Sequence, residues 1–320
     1  MLTKYEPLHL FPVPSTMSAS MRKALYPSGS KDDPRDADVL LDLLLQHRNK
    51  LRRLSPDTEA TRRIQNLVEE RRKLVDEKTE HTNRLASHLK IYFPQMLNWF
   101  EHLDTELVCA LLERWPTLEE LQKVPPSKLR KFFGKHHCRN QELTEWRILA
   151  IRQSIPAIRD RAVIEAKSAA VKVIVQLIRI LLEGIADLDE RIEEAAAAHP
   201  DFFIFKSLPG AGPALAPRLL AAFGSQRERY RNAGEVQTYS GIAPVMEKSG
   251  YSVWARAYYR QQRGKGVDQH GAVRALAFKW IRIVFRCWKQ RVAYDESKYL
   301  AALTRRGSPL VAVVAIAKDL

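Results

Sequence analysis

Two long stretches of the chain carry narrow apolar stripes among charged residues. The first covers Ser55–Tyr92, with Ser55 or Asp57 as its candidate cap and Glu59 in its first turn. The second runs from about Pro156 to Ala198. Both stripes repeat close to every seven residues, which is typical of a coiled-coil seam. Their members are Ile64, Leu67, Val68, Leu74, Val75, Leu85 and Leu89 in the first stretch, and Ala170, Ile174, Leu177, Leu181, Ile185, Leu188 and Ile192 in the second.

These stripes predict two long helices that pair along their apolar sides. The partners belong either to one chain, as an antiparallel pair, or to two copies joined by a dimer seam. We expect Leu177 and Leu181 to be buried at that seam. Residues 94–150 lie between the two stretches and have the pattern of short helices. We interpret them as a subdomain that caps the tip of the coiled coil.

The first thirty residues have a different pattern. His9–Val13 has the composition of one short strand, and we expect one or two short strands near residues 8–14. A loop is predicted at 27–29, and a helix is predicted to open at Pro34 with Asp33 as its cap. Since alternating apolar runs are missing elsewhere, the fold class is mainly α.

A glycine-containing turn precedes an apolar helix near residue 210. The sequence LPGAGP occupies Leu208–Pro213, and the helix is predicted over Ala214–Phe223. This order is typical of a helix-hairpin-helix, in which Gly210 and Gly212 let the backbone approach a phosphate and the helix N-terminus offers its N–H groups. Such a hairpin contacts nucleic acid without reading its sequence. We include Arg218, on the following helix, among the candidate contacts.

Cations and aromatic residues alternate in two predicted helices near the C-terminus, Trp254–Gly264 and His270–Arg291. One interpretation is an amphipathic helix with an aromatic core face, which we favour for Trp280 and Phe285. The other is a phosphate-facing loop, and this favours nucleic-acid contacts at three residues beside two glycines. Those residues are Arg260, Arg263 and Lys265.

The composition agrees with a nucleic-acid partner. The chain has 320 residues, enough for two or three domains, and 52 Lys and Arg against 37 Asp and Glu give a formal net charge of +15. This excess is either a solvated basic surface or a set of phosphate contacts. The 3 cysteines lie far apart, which suggests no disulfide framework and fits a reducing cytoplasm. We find neither a signal peptide nor a run long enough to span a membrane.

Two sets of side chains could carry chemistry. Asp33 and Asp36 are three positions apart at a helix start, where they could share a divalent cation or simply favour the helix dipole. Ser249 lies in a Lys-Ser-Gly turn and could attack a phosphorus atom if Arg or Lys clamps the phosphate. Most turn serines only make turn hydrogen bonds, and Ser240 has an equal claim on local grounds.

Four motifs resemble those of one family in order and spacing. They are K-x-D-P-R-D-A at 31–37, LPGAGP at 208–213, Y-S-G-I-A-P at 239–244 and K-S-G at 248–250. The chain resembles the insertion-sequence one-ten family of transposases, whose members are guided by a bridge RNA, and the resemblance covers nearly its whole length. The resemblance implies a RuvC-like (RNase H-like) domain with an Asp-Glu-Asp-Asp metal site, a coiled coil and a C-terminal serine domain.

Site roles follow from the resemblance residue by residue. Asp33 and Asp36 match the last two acids of the tetrad and would bind Mg²⁺, and Ser249 matches the serine that joins covalently to a DNA phosphate. The implied domains are a RuvC-like remnant over 1–52, a coiled-coil domain over 53–199 and a helix-hairpin-helix transposase domain over 200–320. DNA, a guide RNA and a second copy of the chain are the implied partners, in a prokaryotic cytoplasm at the nucleoid.

Two departures from the family pattern bear on activity. The first Asp and the Glu of the tetrad would precede residue 1, and no acid in residues 1–30 replaces them. The basic stretch that the family carries after the serine turn is shortened here, since Tyr251 follows Gly250 directly. We therefore expect a truncated, degenerate transposase. Three functions stay open: a serine-plus-metal recombinase, a non-catalytic nucleic-acid-binding remnant, and a coiled-coil interaction protein.

Overall fold

The regular structure of the chain is helical throughout the described part. The computed structural model describes residues 9–26, 32–51, 53–240, 252–311 and 314. The helices are α1 Ser15–Leu25, α2 Asp33–Gln46, α3 Glu59–Tyr92, α4 Gln95–Trp99, α5 Glu106–Arg114, α6 Leu118–Gln122, α7 Pro126–Lys135, α8 Gln141–Gln153, α9 Arg161–Ala197, α10 Phe202–Lys206, α11 Leu215–Phe223, α12 Ala233–Ser240, α13 Val253–Gly264, α14 Gln269–Gln290 and α15 Glu296–Arg305. A 3₁₀ turn, Arg48–Lys50, follows α2.

The N-terminal prediction of a strand was wrong. Residues 9–14 are not in a strand, and α1 begins directly after them at Ser15. A strand needs a ladder of backbone hydrogen bonds, and a single bond from Leu54 N to Leu10 O at 2.7 Å does not make one, so the apolar run His9–Val13 stays irregular. The RuvC-like remnant over 1–52 stays a prediction. The helix predicted to open at Pro34 is α2, but it begins at Asp33 and its N-cap is Asp32.

The two long helices pair antiparallel within one chain. Arg71 of α3 binds Asp189 of α9 through two hydrogen bonds, and Thr61 Oγ1 lies 2.9 Å from His199 Nε2 just beyond the end of α9. The predicted first helix was four residues too long at its start. Thr58 is the cap, because its side chain accepts a hydrogen bond from Thr61 N. The second helix begins at Arg161 rather than near 156.

The seam on α9 is rotated from the predicted stripe over part of its length. Ile174, Ile185 and Ile192 are buried as expected, but Leu177 is 37% exposed and Leu181 is half-buried. Placing Leu177 at the buried seam was therefore wrong. The residues that α9 buries are Val171, Ile174, Val175, Ile178, Ile185, Ile192, Ala195 and Ala196. Positions 171, 178, 185 and 192 keep the seven-residue repeat. Ile185 and Ile192 belong to the predicted stripe, whereas Val171 and Ile178 each lie one residue after a predicted member, Ala170 and Leu177.

Short helices close the far end of the pair. Helices α4 to α8 surround the end of α3 and the start of α9, and their side chains form one apolar core with both long helices. Phe93, Met96, Leu111, Leu112, Leu121 and Phe133 are among its fully buried members. This arrangement agrees with the capping interpretation of residues 94–150. The three-part domain division stays a prediction.

The C-terminal helices build two further cores. The first joins the start of α3 and the end of α9 to α10, α11 and α14, around Phe205, Phe223 and Trp288. The second packs α13 against α14 and α15, around Trp254 and Trp280. Trp254 and Trp288 are fully buried, so the aromatic residues of these helices are core residues, as we favoured for Trp280.

Candidate nucleic-acid interface

The glycine turn connects a five-residue helix to a nine-residue helix. Helix α10 ends at Lys206 and α11 begins at Leu215. Leu208 is buried in the turn and Ala216 and Leu220 are buried on α11, so the hairpin is fixed to the core by its apolar side. Gly210 adopts a φ of 76°, in the left-handed region that a glycine tolerates best. The turn therefore depends on a glycine at position 210.

Several N–H groups of the turn are already used. Gly212 N donates to Gly210 O at 2.9 Å, and Leu215 N and Ala216 N both donate to Gly212 O at 3.1 Å. The next residue, Pro217, has no N–H. The first turn of α11 is thus less open to a phosphate than the motif predicts. A Cβ at position 212 would meet nothing within 4 Å, so this side of the turn is free for an approaching ligand. Arg218 is exposed on α11 beside it.

The second candidate segment is the end of a helix, not a loop. Arg260 and Arg263 lie in the last turns of α13, and Lys265 is its C-cap. The loop interpretation was therefore wrong, and the chain turns only at Gly266, where φ is 81°. Cations in this position interact favourably with the negative end of the helix dipole. All three side chains are exposed, and Arg263 Nη1 donates to Val267 O at 3.1 Å.

The candidate metal ligands lie in the first turn of α2. Asp33 is exposed, whereas Asp36 is half-buried and forms an ion pair with Arg22 of α1. In the described part of the chain, no group of three His, Cys, Asp or Glu side chains is arranged to hold a metal ion. Mg²⁺ accepts one or two carboxylates together with phosphate oxygens. These two aspartates can bind such an ion together only if the ion pair between Arg22 and Asp36 breaks.

Of the two candidate serines, Ser240 lies in the described part of the chain and Ser249 does not. Ser240 is the last residue of α12, and its hydroxyl donates to Gln237 O at 3.0 Å. It therefore makes the local hydrogen bond that a non-catalytic serine usually makes. Ser249 and the Lys-Ser-Gly turn lie outside the described residues, as does Gly250.

A carboxylate site that the sequence analysis missed lies after α11. Asp57 Oδ1 accepts hydrogen bonds from Ser225 N at 2.7 Å, Ser225 Oγ at 3.0 Å and Gln226 N at 3.3 Å. Arg229 Nη1 is 3.3 Å from Asp57 Oδ2. Burial alone would raise the pKa of Asp57, but the hydrogen bonds from Gln65 and Ser225 and the charge of Arg229 outweigh it and lower that pKa. This residue fixes the start of α3 to the C-terminal region.

No pattern in the sequence links Asp57 to residues 224–229, because the two segments are far apart in the chain and neither is periodic. The one local signal is the Gly-Ser pair after an apolar helix, which is typical of a helix C-terminus followed by a turn. The predicted contacts form separate groups: Gly210, Gly212 and Arg218 share one hairpin, and Arg260, Arg263 and Lys265 share one helix end.

Among the helices of the described part, none is both long enough and apolar enough to cross a membrane. The cysteines Cys109 and Cys287 are buried and Cys138 is half-buried, and all three are free thiols.

Two family descriptions match separate parts of the chain. Residues 4–94 match a transposase family described by the Asp-Glu-Asp-Asp domain of IS110 elements, and residues 204–265 match the description "Transposase IS116/IS110/IS902 family". The first match contains α1, α2 and α3. The second begins in α10, includes the whole glycine turn and ends at Lys265.

Several insertion-element proteins are similar to this chain over most of its length. The IS117 mini-circle protein of Streptomyces coelicolor, whose name proposes a transposase, is 27% identical over 311 residues, covering 86% of this chain and 75% of its own length. The 43.6 kDa protein of insertion element IS110 from the same organism is 24% identical, with 85% and 74% covered. The 42 kDa protein of IS900 from Mycobacterium paratuberculosis is 21% identical, with 87% and 76% covered.

Proposed function

Because the chain belongs to the IS110 family of transposases, we propose that it binds the DNA of an insertion sequence and exchanges its strands with Ser249 as the nucleophile. The observation that carries this proposal is the order of the two family matches along one chain, with relatives covering 86% of it. DNA is the partner that a transposase family implies. The hairpin at 208–223 and the cations of α11 and α13 supply exposed groups that suit a phosphate backbone.

The proposed step is a phosphoryl transfer. The Ser249 oxygen attacks a DNA phosphorus atom and gives up its proton, and the bond from phosphorus to one deoxyribose oxygen breaks. That oxygen leaves with a proton, and the DNA strand stays joined to the serine as a phosphate ester. A hydroxyl of a second strand then attacks the same phosphorus and releases the serine. Neighbouring cations stabilise the charge on the phosphate oxygens.

The test is capture of the covalent adduct on a suicide DNA substrate, followed by peptide mapping. We expect the adduct on Ser249, its loss in Ser249→Ala and its retention in Ser240→Ala, the matched control. An adduct on Ser240 would contradict the assignment of the nucleophile. DNA binding without any adduct would favour the degenerate transposase that the two departures from the family pattern predict, or a nucleic-acid-binding protein without catalysis.

For the metal, we propose that Asp33 and Asp36 supply two carboxylates to Mg²⁺. The ion would add positive charge next to a phosphate. Binding must displace Arg22 from Asp36, so affinity should rise in Arg22→Gln. Titration with Mn²⁺ followed by electron paramagnetic resonance measures this without an activity assay. Asp33→Asn should weaken binding, whereas Asp38→Asn, an exposed acid on the same helix, should not.

For the partners, we propose a guide RNA and a second copy of the chain. The outward side of α9 supports the second copy: Val173, Leu177 and Ile180 are 57%, 37% and 64% exposed and follow the four-three spacing of a coiled-coil seam. Sedimentation should show a dimer that Ile180→Glu dissociates. Ile155→Glu, at another exposed isoleucine, is the control. A monomeric parent protein would reject this interface.

The RNA partner has its own test. Transcripts of the sequences flanking the element should bind with an affinity that falls steeply with salt, because basic side chains displace counterions from the phosphates. Equal affinity for unrelated RNA of the same length would contradict a guide role. It would leave the DNA proposal intact.

A further inference from the structure

A basic groove lies between α14 and the segment that contains α15. Its volume is about 760 Å³. We refer to it as the α14–α15 groove. Its cationic lining residues are Lys279, Arg282, Arg286, Lys298, Arg305 and Arg306, while Asp295 is the one acid among its described lining residues. Neither family match reaches it, because the second ends at residue 265.

The cations form two rows. Lys279, Arg282 and Arg286 follow each other at intervals of three and four residues, so they share one face of α14. Lys298 and Arg305 are seven residues apart, two turns along α15. Each row is about 10 Å long at a rise of ~1.5 Å per residue. Ala301 and Ala302 line the groove with small side chains. One strand of B-DNA places a phosphate every ~3.4 Å along its axis, so a row spans about three phosphates.

No described acid pairs with the arginines of the groove, whereas Lys298 is close to Asp295 and Lys279 packs over the Tyr258 ring. Asp295 caps α15 by accepting from Lys298 N at 3.0 Å, and its other oxygen lies 3.7 Å from Lys298 Nζ. No described carboxylate lies within 4 Å of Arg282, Arg286 or Arg305; the nearest polar partner of Arg286 is Gln290 Oε1 at 3.3 Å. Burial and the charge of Arg282 lower the pKa of Lys279. Cations held together without acids favour a bound anion, which would relieve their repulsion.

Two aromatic residues line the groove, Tyr294 and Tyr299, and both are half-buried. The Tyr294 ring packs on Trp280 with centroids 5.3 Å apart, and the Tyr299 ring packs on Trp254 at 4.8 Å. Proteins that hold single strands use exposed aromatic faces on which bases stack. Since the core already contacts both rings, the groove offers charge with little surface for stacking. Charge without stacking suits the outside of a duplex, where the phosphates are displayed and the bases are covered.

We propose that the α14–α15 groove binds the phosphate backbone of one strand of duplex DNA, at a site separate from the 208–223 hairpin. The inference rests on the proposed function in that DNA is taken as the partner. It adds a second contact next to the hairpin, since Tyr294 N of the groove donates to Ser207 Oγ at 2.7 Å, and this contact would orient the duplex relative to the hairpin. Because backbone contacts carry no sequence information, the groove positions any DNA sequence equally.

The test is the salt dependence of duplex DNA binding, measured by fluorescence anisotropy. The groove variant is Arg282→Gln, Arg286→Gln and Arg305→Gln together. All three residues are exposed, so the fold should tolerate the change. The control variant is Lys128→Gln, Lys131→Gln and Lys135→Gln, which removes the same charge with a similar three-and-four spacing from exposed positions of α7.

Each phosphate contact contributes about 0.9 to the slope of log K against log salt on B-DNA. The groove variant should therefore reduce that slope by about 2.7 and weaken binding on the order of a hundredfold at 0.1 M salt. The control variant should keep the parent slope. If the groove variant fails to fold, Arg286→Gln and Arg305→Gln are measured singly, and each should reduce the slope by about 0.9.

Three results would overturn the inference. An unchanged slope in the groove variant, with binding still lost in Gly212→Val, would reject the groove and leave the proposed function standing. If the groove variant reduces the salt slope for single-stranded DNA or an RNA duplex but not for duplex DNA, then duplex DNA is not the partner of the groove. A parent protein with no affinity for DNA would reject the inference and the proposed function together.

Discussion

The long helix pair and the C-terminal region are stabilised in different ways. The pair buries mainly aliphatic side chains, which recur every seven residues along α9, while α3 buries Ile64, Leu85 and Leu89 towards its two ends. The C-terminal region is centred on aromatic rings, with Phe223, Tyr230 and Trp288 in mutual contact at centroid distances of 5.5 to 6.2 Å. A repeating seam spreads its stability over many equivalent positions, whereas a ring cluster concentrates it in a few contacts.

Polar contacts at the junction reinforce this difference. Trp288 Nε1 donates to Gly224 O at 2.9 Å, and the Arg227 guanidinium lies 4.8 Å from the Trp288 ring and 2.6 Å from Asp201 Oδ1. These contacts involve a few individual side chains and do not repeat along a helix. We therefore expect the C-terminal region to depend on single residues, and the helix pair to depend on which side of the helix a residue occupies.

The largest expected effect tests the register of the seam. Ile178 is fully buried and its neighbour Leu177 is 37% exposed. Ile178→Ala should lower the free energy of unfolding by about 2 to 5 kcal/mol, the usual range for a large apolar residue truncated in a core. Leu177→Ala should cost well under half as much. Urea unfolding measures both, and equal costs would mean that the seam includes Leu177.

The next effect tests the dependence of the C-terminal region on one glycine. Gly224 has φ 69° and ψ −174°, a conformation essentially restricted to glycine. A Cβ there would lie 2.6 Å from Asp57 Oδ1 and 2.7 Å from Arg229 Nη1. Gly224→Ala should destabilise the protein by about 2 to 3 kcal/mol. Gly134→Ala, at a helical site with open space, should be neutral or stabilising. A tolerated Gly224→Ala would contradict the contact with Asp57.

A third prediction concerns pH. The folded-state pKa of Asp57 is below its ordinary value. Its contribution is therefore complete above the unfolded carboxyl value of about 4 and is lost as the pH falls through the lower folded value. Asp57→Asn should cost about 1 to 2 kcal/mol at pH 7, because charge-assisted hydrogen bonds are lost. Thermal unfolding of both proteins at pH 7 and pH 3 should show the difference shrinking in acid. A difference that is constant with pH would reject this role.

The smallest effect concerns the Arg71–Asp189 pair across the seam. The two side chains are 24% and 45% exposed, so water screens their attraction. Asp189→Asn should cost less than about 1 kcal/mol, and added salt should reduce that cost further. Denaturant midpoints at low and high salt measure it. A cost comparable with that of Ile178→Ala would mean that polar pairs, not aliphatic packing, hold the helices together.

The sequence allowed prediction of the periodic half of the fold. Two long helices, the short helices at their tip, and α11, α13 and α14 were expected within a few residues, because apolar periodicity reports on burial directly. The strand at His9–Val13 was wrong because composition alone does not supply a partner strand. The prediction that Leu177 lies at the buried seam was wrong because adjacent heptad registers share several apolar residues, and only packing selects between them.

The candidate site was harder to predict. The glycine turn was located from its residues, but the use of its N–H groups by Gly212 O depends on backbone geometry that a motif does not specify. Arg260 and Arg263 proved helical because glycine next to cations can end a helix as well as form a loop. The Asp57 contacts and the α14–α15 groove join residues distant in sequence, so no local pattern could reveal them.

The length of the antiparallel helix pair sets the distance between the short helices at its tip and the C-terminal helices. Helix α3 has 34 residues, which at ~1.5 Å per residue gives a length of about 50 Å. Because the buried positions of α9 repeat every seven residues, removing seven residues from α3 and the matching seven from α9 would keep the facing sides of the two helices in register. The tip would then move about 10 Å closer to the C-terminal helices. Inserting seven residues into each helix would move the tip away by the same distance. The separation of the tip from the C-terminal helices can therefore change in steps of one heptad.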